Sequence, residues 1–210
     1  MSELLERGLS TVAVVVGSDE SAITAQNTMN TLKSLEGVSR RTQRPVVMYY
    51  DHNQRGSRRS DIDSSLISAI TALSALASKQ NDEMDTKDIS NWLEYHKTSP
   101  VKAQLSVLNI HTAVDKVQSV KNPISIASLY GSPDEETITA TPDYHTVGYT
   151  GKDSDVPNSL HFIISVDAIN SVYQMIQATL DQLDEIRNSR VDHGSVLKDT
   201  DSVDDNGMVY

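Results

Sequence analysis

Residues 61–93, DIDSSLISAITALSALASKQNDEMDTKDISNWL, decide the fold of this chain. Asp61–Lys79 has apolar residues at helical spacing, which is the strongest helical signal in the sequence. This apolar stripe consists of Ile62, Leu66, Ile70, Leu73, Leu76 and Ala77, with Ala69 alongside. Beyond a polar turn, Asp85 has the position of an N-cap and Asp88 follows at the third helical position. A second helix is therefore predicted to begin at Asp85.

The residues before this stretch predict a parallel strand–helix–strand unit. Thr11–Val16 (TVAVVV) is continuously apolar and β-branched, which is typical of a strand buried on both faces. A helix is predicted over 20–35, with Gly37 as its end, and a second strand over Pro45–Tyr50. Parallel strands joined through a helix require a right-handed crossover.

The residues after it alternate between strands and turns. Four strands are predicted over 105–111, 124–130, 144–150 and 160–166, with a short helix over 113–120. Asp167 is expected to cap a final helix, 168–189, which has one apolar face.

These elements predict an α/β fold in four parts. Residues 1–60 form a partial parallel sheet with its crossover helix, as a remnant of a nucleotide-binding-type α/β domain. Residues 61–79 form a central connecting helix, 80–190 a smaller α+β sheet domain, and 191–210 a disordered acidic tail. Two strands are too few for a stable sheet. We therefore expect another polypeptide, or further sequence of a longer one, to complete the sheet.

Composition excludes several classes of protein. The 210 residues are 38% hydrophobic and 22% charged and contain no cysteine, which excludes disulfides and thiolate metal sites. The net charge of −11 argues against nonspecific binding to nucleic acid. No apolar run approaches the roughly 20 residues of a membrane span. A cytoplasmic protein is expected.

The turn before the second helix is the main chemical feature. Four carboxylates fall within it, those of Asp82, Glu83, Asp85 and Asp88. Two acids three residues apart at a helix start can polarise a water molecule or hold a cation. Acidic first turns also stabilise helices through the helix dipole, and taken alone the turn favours that simpler role.

The order of these segments resembles the tubulin/FtsZ superfamily, in particular its phage and plasmid branches. The segments concerned are VAVVVG at 12–17, PVVMYYDHNQ at 45–54, the long alanine-rich helix, and ASKQNDEMDTKDISNWL at 77–93. The resemblance covers roughly residues 2–190 and corresponds to the C-terminal two-thirds of the family. It implies that the long helix joins two domains and ends in the family's acidic synergy loop.

The resemblance also implies roles for three acids. Asp85 and Asp88 match the synergy-loop acids, which reach the nucleotide of the neighbouring subunit and help to activate water. Asp63 matches an acid that reads the guanine, although it can equally be an ordinary first-turn carboxylate. The implied cofactor is GTP, shared at a subunit interface, with Mg²⁺ as a further candidate.

The sequence departs from the family pattern in three respects. Gln80 stands where the family has glycine, and Glu83 replaces its asparagine. A glycine-rich phosphate loop is absent from these 210 residues. A chain with the acids alone could supply only half of a GTPase site, so activity would require a phosphate-binding segment or partner chain.

The sequence therefore predicts a subunit, or a fragment of one, in filament assembly. The expected partners are copies of the same chain or a chain carrying the nucleotide-binding half. One alternative is a non-enzymatic structural or adaptor protein with a degenerate tubulin-like layout. A third class is a small-molecule-binding protein that uses the 51–60 loop.

Two further patterns in the sequence are weaker. Six arginines are predicted to lie at one end of the sheet, where solvation or ion pairing is favoured over an anion site; they are Arg40, Arg41, Arg44, Arg55, Arg58 and Arg59. Asp51 and His52 invite comparison with a catalytic triad using Ser57 or Ser60. No nucleophile elbow supports that comparison.

Overall fold

The fold is a mixed α/β structure built around one six-stranded sheet. It was obtained as a computed structural model. The residues described are 1–54, 56, 58–77, 84–132, 138, 142, 144–150 and 159–200, with side chains up to 189. The helices are α1 (Ser2–Glu6), α2 (Ala22–Thr42), α3 (Arg59–Leu76), α4 (Thr86–Leu93), α5 (Val114–Ser119) and α6 (Asp167–Thr200). The strands are β1 (Val12–Ser18), β2 (Val46–Asn53), β3 (Leu105–His111), β4 (Pro123–Tyr130), β5 (Tyr144–Tyr149) and β6 (Ser159–Ser165).

The strand order in the sheet is β1-β2-β3-β6-β4-β5. β1, β2 and β3 are parallel to one another, β6 runs antiparallel to β3 and β4, and β5 is parallel to β4. Five strands therefore point the same way and only β6 is reversed. The α/β class and the parallel pairing of β1 with β2 are confirmed.

β2 joins the two parts of the chain. Val46, Val47 and Met48 have no exposed surface and pair with Leu105–Val107 of β3. Strands from residues 1–60 and from residues 80–190 thus belong to one sheet, whereas the sequence predicts a separate, smaller sheet domain over 80–190. The domain boundaries themselves stay a prediction.

β1 is more exposed than the sequence predicts, because its continuous apolar run is typical of a strand that is buried on both faces. Among the described strands it pairs with β2 alone, so its other edge is unpaired. Val14 is 43% exposed and Val16 is 46% exposed. The physical reason is that nothing in the described part of the chain covers this edge.

Helix α2 continues past its predicted end. Gly37 lies inside the helix, and the left-handed conformation that ends it belongs to Gln43, with φ of 55°. Pro45 then prevents further helix. By contrast, Gly8 does end α1, with φ of 82°.

Helix α6 also runs further than predicted. Its helical backbone continues to Thr200, through the first part of the tail that was predicted to be disordered. The remainder of that tail, 201–210, lies outside the described residues. Among the described helices, α6 included, none combines the length and apolarity needed to cross a membrane.

The two largest core clusters lie on opposite faces of the sheet. Val47, together with residues of α3, α4, β3, β4 and β6, forms the cluster beneath α3 and α4. Val46 and Met48 belong to the cluster formed with α1, α2 and α6. Alternate residues of β2 therefore contribute to opposite cores.

A buried ion pair reinforces the junction at the start of β2. Arg44 and Glu94 form an ion pair, with side chains only 20% and 5% exposed. Arg44 Nη2 also donates a hydrogen bond of 3.2 Å to the carbonyl of Gly8. The pair connects the residues before β2 to the end of α4.

We expect Glu94→Gln to lower the free energy of unfolding by about 3 kcal/mol, because it leaves a largely buried guanidinium without its counter-charge. Urea denaturation measures this effect. Glu3→Gln is the matched control, since it breaks the exposed Arg7–Glu3 pair, whose side chains are 69% and 75% exposed. The Glu3→Gln variant should lose less than about 1 kcal/mol of its free energy of unfolding. Equal losses in the two variants would contradict the prediction.

A row of histidines crosses the C-terminal strands. His161 is fully buried, with its Nδ1 3.0 Å from Ser128 Oγ, and Ser128 Oγ is 3.0 Å from His145 Nε2. His111 is the register partner of His161. Burial, followed by the nearby His145 and His111, lowers the pKa of His161 to about 4. His161 is therefore neutral in the folded protein at neutral pH.

Stability should accordingly fall on acidification. Unfolded histidine titrates near pH 6.5, so from about pH 6.5 down to about 4 the unfolded chain binds more protons than the folded chain. His161 alone should contribute a loss on the order of 3 kcal/mol across that window. Urea denaturation at neutral and acidic pH tests this. His161→Gln should lose less stability on acidification than the wild type does, and an unchanged loss would refute the assignment.

Candidate functional sites at the two ends of the sheet

The three predicted site acids lie at opposite ends of the parallel strands. α3 begins after the carboxyl end of β2 and returns to the amino end. Ser90 of α4 has its Oγ 3.2 Å from the Oγ of Ser10, which precedes β1, so α4 lies at the amino end. From Asp63 to Leu76 the helix rises about 20 Å. Asp63 is therefore not brought together with Asp85 and Asp88 within one chain.

Asp85 and Asp88 form a reciprocal cap on α4. The backbone N–H groups of Lys87 and Asp88 donate hydrogen bonds of 2.7 and 2.9 Å to Asp85 Oδ1. The N–H of Asp85 donates to Asp88 Oδ2 at 3.2 Å. These bonds are the capping box that the spacing of the two acids predicts. Both bonds to Asp85 fall on Oδ1, which leaves Oδ2 outside the cap.

A residue distant in sequence orients Asp88. Tyr144 begins β5, and its hydroxyl donates a hydrogen bond of 3.2 Å to Asp88 Oδ1. Burial, followed by the charge of Asp88, raises the pKa of Tyr144, so the phenol remains a donor at neutral pH. Sequence analysis missed this contact because it joins positions 56 residues apart.

The electrostatics of the acidic turn favour a charged carboxylate. Asp85 is exposed, and the hydrogen bonds from the backbone of Asp88 and Lys87 lower its pKa. A carboxylate with a depressed pKa is a poor proton acceptor near neutral pH. Asp85 is therefore suited to orienting a water molecule or attracting a cation, more than to removing a proton.

Asp63 lies near the start of α3 with its side chain exposed. Two residues further on, Ser65 Oγ is 2.8 Å from the hydroxyl of Tyr49 on β2, which fixes this part of α3 against the sheet. Ligands of α/β sheets bind beyond the carboxyl ends of the strands. Asp63 is thus at the end of the sheet where a ligand is expected.

A second group at the carboxyl end was not predicted. The hydroxyl of Tyr50 is 2.7 Å from His52 Nδ1, and His52 Nε2 is 3.6 Å from Asp19 Oδ2. Burial, followed by the charge of Asp19, raises the pKa of Tyr50, so its phenol keeps its proton and can either donate to His52 Nδ1 or accept from it. Gly17 permits this arrangement, because an added Cβ would lie 2.9 Å from His52 Nδ1 and overlap the Tyr50 ring.

His52 therefore belongs to this cluster, and no described contact connects it with a serine nucleophile. Ser60 lies beside Asp61, and Ser57 is outside the described residues. A groove of about 310 Å³ opens next to the cluster, lined by Tyr50, Asp51, His52, Ser171, Val172 and Met175. It lies at the start of the 51–60 loop, and small-molecule binding there stays a prediction.

The predicted single cluster of arginines is wrong. Arg40 and Arg44 lie near the amino end of β2, where they pair with Glu36 and Glu94. Arg58 and Arg59 begin α3 at the other end, and Arg55 lies outside the described residues. Strand β2 runs between the two groups and so separates residues that are close in sequence.

The described residues fit only part of a GTP site. Asp63 is a carboxylate open to a base at the carboxyl end, as guanine binding requires. Gly8, Gly17 and Gly37, each isolated from other glycines, do not make a phosphate loop. In the described ranges, no group of three or more His, Cys, Asp or Glu side chains could hold a metal ion.

A mixed sheet with a long helix across one face, followed by an acidic cap at the amino end, defines a tubulin-like protein. Residues 84–172 match the family described as phage tubulin-like protein, C-terminal domain. The phage tubulin-like protein of Pseudomonas phage PhiPA3 is 30% identical over 212 residues, covering all of this chain and 67% of that protein. The chain belongs to the phage tubulin-like family.

Other comparisons agree with this assignment. The phage tubulin-like protein of Pseudomonas phage phiKZ is 28% identical over 210 residues, and the chain spans only 64% of its length. The protofilament of TubZ from bacteriophage PhiKZ has a TM-score of 0.85 at 29% identity, over 89% of this chain and 59% of that one. The phage tubulin PhuZ with GDP has a TM-score of 0.86 at 27% identity, over 90% and 61%.

Mutation can separate the capping hydrogen bonds of Asp85 from its negative charge. Asp85→Ala should lower the free energy of unfolding by about 1 kcal/mol, because alanine cannot cap α4. Asp85→Asn should cost close to nothing, because asparagine caps as well as aspartate. Urea denaturation distinguishes the two variants. Equal destabilisation by both would show that the negative charge, and not the cap, stabilises the helix.

Proposed function

We propose that this chain is the C-terminal part of a phage tubulin-like filament subunit that supplies acidic residues to the nucleotide of its neighbour. Asp85 and Asp88 would face GTP held by the next subunit, and Asp63 would contact the guanine of its own subunit. Assembly would take place in the cytoplasm, a reducing compartment consistent with a sequence that contains no cysteine.

One observation carries the proposal. Asp63 and the Asp85–Asp88 cap lie at opposite ends of the same strands, with most of α3 between them. Residues at opposite ends meet when subunits stack head to tail, so that the amino end of one subunit covers the carboxyl end of the next. A relative has been solved as a protofilament and another with GDP, which supports both stacking and a nucleotide.

In the proposed reaction, the residues of this chain would act through electrostatic interactions with water and with the nucleotide. GTP, when bound, supplies the phosphoryl group that water attacks. Asp85 would orient that water through Oδ2, which lies outside the cap. Tyr144 would hold Asp88 beside it, and the backbone N–H groups of α4 would keep Asp85 ionised.

A trans-complementation assay tests this role. GTP turnover by the full-length phage phiKZ relative is measured with and without the 210-residue chain. We expect the chain to stimulate turnover by binding the exposed nucleotide end of the relative. Asp85→Asn and Asp88→Asn should each reduce the stimulated component by about 100-fold, because both keep the cap and remove a carboxylate.

Asp115→Asn provides the matched control. Asp115 is also an exposed acid in the first turn of a helix, α5, and its replacement should leave stimulation unchanged. Absence of stimulation by the wild-type chain would refute the proposal. So would full stimulation by both the Asp85 and the Asp88 variants.

A second candidate is a structural or adaptor protein without catalytic acids. The capping box favours it, because the hydrogen bonds between Asp85 and Asp88 already explain why acids occupy both positions. Under this alternative, the Asn variants should bind the relative and co-assemble normally without any change in GTP turnover. Light scattering recorded together with turnover separates assembly from hydrolysis.

A further inference from the structure

Helix α2 presents an exposed apolar side chain in its first turn. Ile23 is 74% exposed, more than any other large apolar residue in the part of the chain that the structure describes. Glu20, three residues earlier, is also exposed, and its Oε1 accepts a hydrogen bond of 3.1 Å from Asn53 Nδ2. The start of α2 therefore combines an apolar side chain with an oriented carboxylate.

The end of α2 has the opposite charge. Arg41 is exposed in the last turn of the helix. Its neighbour Arg40 pairs with Glu36, but within the described ranges Arg41 itself forms no ion pair. The guanidinium of Arg41 is thus available to an acid of another molecule.

α2 reaches both ends of the sheet. Its 21 residues correspond to about 31 Å, whereas strands of seven or eight residues are about 25 Å long. Because α2 connects two parallel strands, it runs from the carboxyl end of β1 to the amino end of β2. Glu20 and Ile23 therefore lie at the carboxyl end of the sheet, and Arg41 lies at the amino end.

We propose that the start of α2 in one subunit contacts the end of α2 in the next, with Glu20 paired to Arg41 and Ile23 covered by the neighbouring helix end. The partner is a second copy of this chain, stacked along the strands. This inference rests on the proposed function, which supplies the stacking, and it names an interface outside the acidic turn.

Stacking by translation along the strands brings these two helix ends together. Every subunit then has the same orientation, so the carboxyl end of one α2 meets the amino end of another. Opposite charges meet in this arrangement, whereas a reversed subunit would place like charges together. The helix dipole alone favours an acid at the start of a helix and a base at its end. It gives no reason for an exposed isoleucine beside that acid.

Because the sequence contains no cysteine, single introduced cysteines can report this contact. Ala22→Cys marks the start of α2 and Arg40→Cys marks its end, and both positions are exposed. A short bismaleimide is added, at low salt and without nucleotide, to a mixture of the two chains. We expect a cross-linked dimer in the mixture and none with either chain alone, because identical positions do not meet in a head-to-tail contact. Gel electrophoresis measures the yield.

Charge reversal tests the pairing itself. Arg41→Glu in the Arg40→Cys chain, or Glu20→Arg in the Ala22→Cys chain, should lower the yield at least about fivefold, because like charges then face each other. Mixing the two reversed chains should restore the yield. Ile23→Ser in the Ala22→Cys chain should also lower it, since less apolar surface is buried. All these positions are exposed, so circular dichroism should show folded chains.

Lys116→Glu in the Arg40→Cys chain is the matched control. Lys116 is exposed on α5, and the same change of charge there should leave the yield unaltered. The proposal is overturned if the mixture gives no dimer, if either chain alone gives as much, if the reversed pair is not restored, or if the control loses as much. Because no GTP is present, loss of this contact with intact stimulation of GTP turnover would leave the proposed function standing.

Discussion

The complete burial of the first three residues of β2 is the constraint on which the arrangement depends. Its first residues, Val46–Met48, contribute to both cores, and their backbone groups must be hydrogen-bonded because water cannot reach them. β1 is hydrogen-bonded to one edge of β2, and β3 is hydrogen-bonded to the other edge. Since β3 is parallel to β2, the chain must return to the amino end of the sheet before β3 begins, and α3 makes that return. The distance between Asp63 and Asp85 is therefore a consequence of sheet topology.

In the acidic turn, the contacts that support folding leave part of Asp85 available for the proposed chemistry. The cap holds Asp85 through Oδ1, and the same hydrogen bonds that begin α4 lower the pKa of the carboxyl group. The stabilising contacts thus keep the group charged and oriented. A helix cap and a site for polarising water are compatible here because they use different oxygen atoms of Asp85.

Local signals in the sequence predicted most elements well, whereas nonlocal ones were missed. Strand β3 and the N-cap at Asp85 were correct because alternation and capping depend on adjacent residues. The prediction that Gly37 ends α2 was wrong, because the residue that takes the left-handed conformation at the end of this helix is Gln43. The contact of Tyr144 with Asp88 depends on how strands assemble. No periodicity in the sequence could have indicated it.

The valines of β1 are exposed, although their sequence is typical of a covered strand. A β-branched run is suited to a covered strand, so its exposure at an edge is a local inconsistency that a partner would remove. The stacking proposed for the subunits runs along the strands, whereas the β1 edge runs along the side of the sheet. The acidic turn and the exposed valines are therefore separate surfaces of the chain.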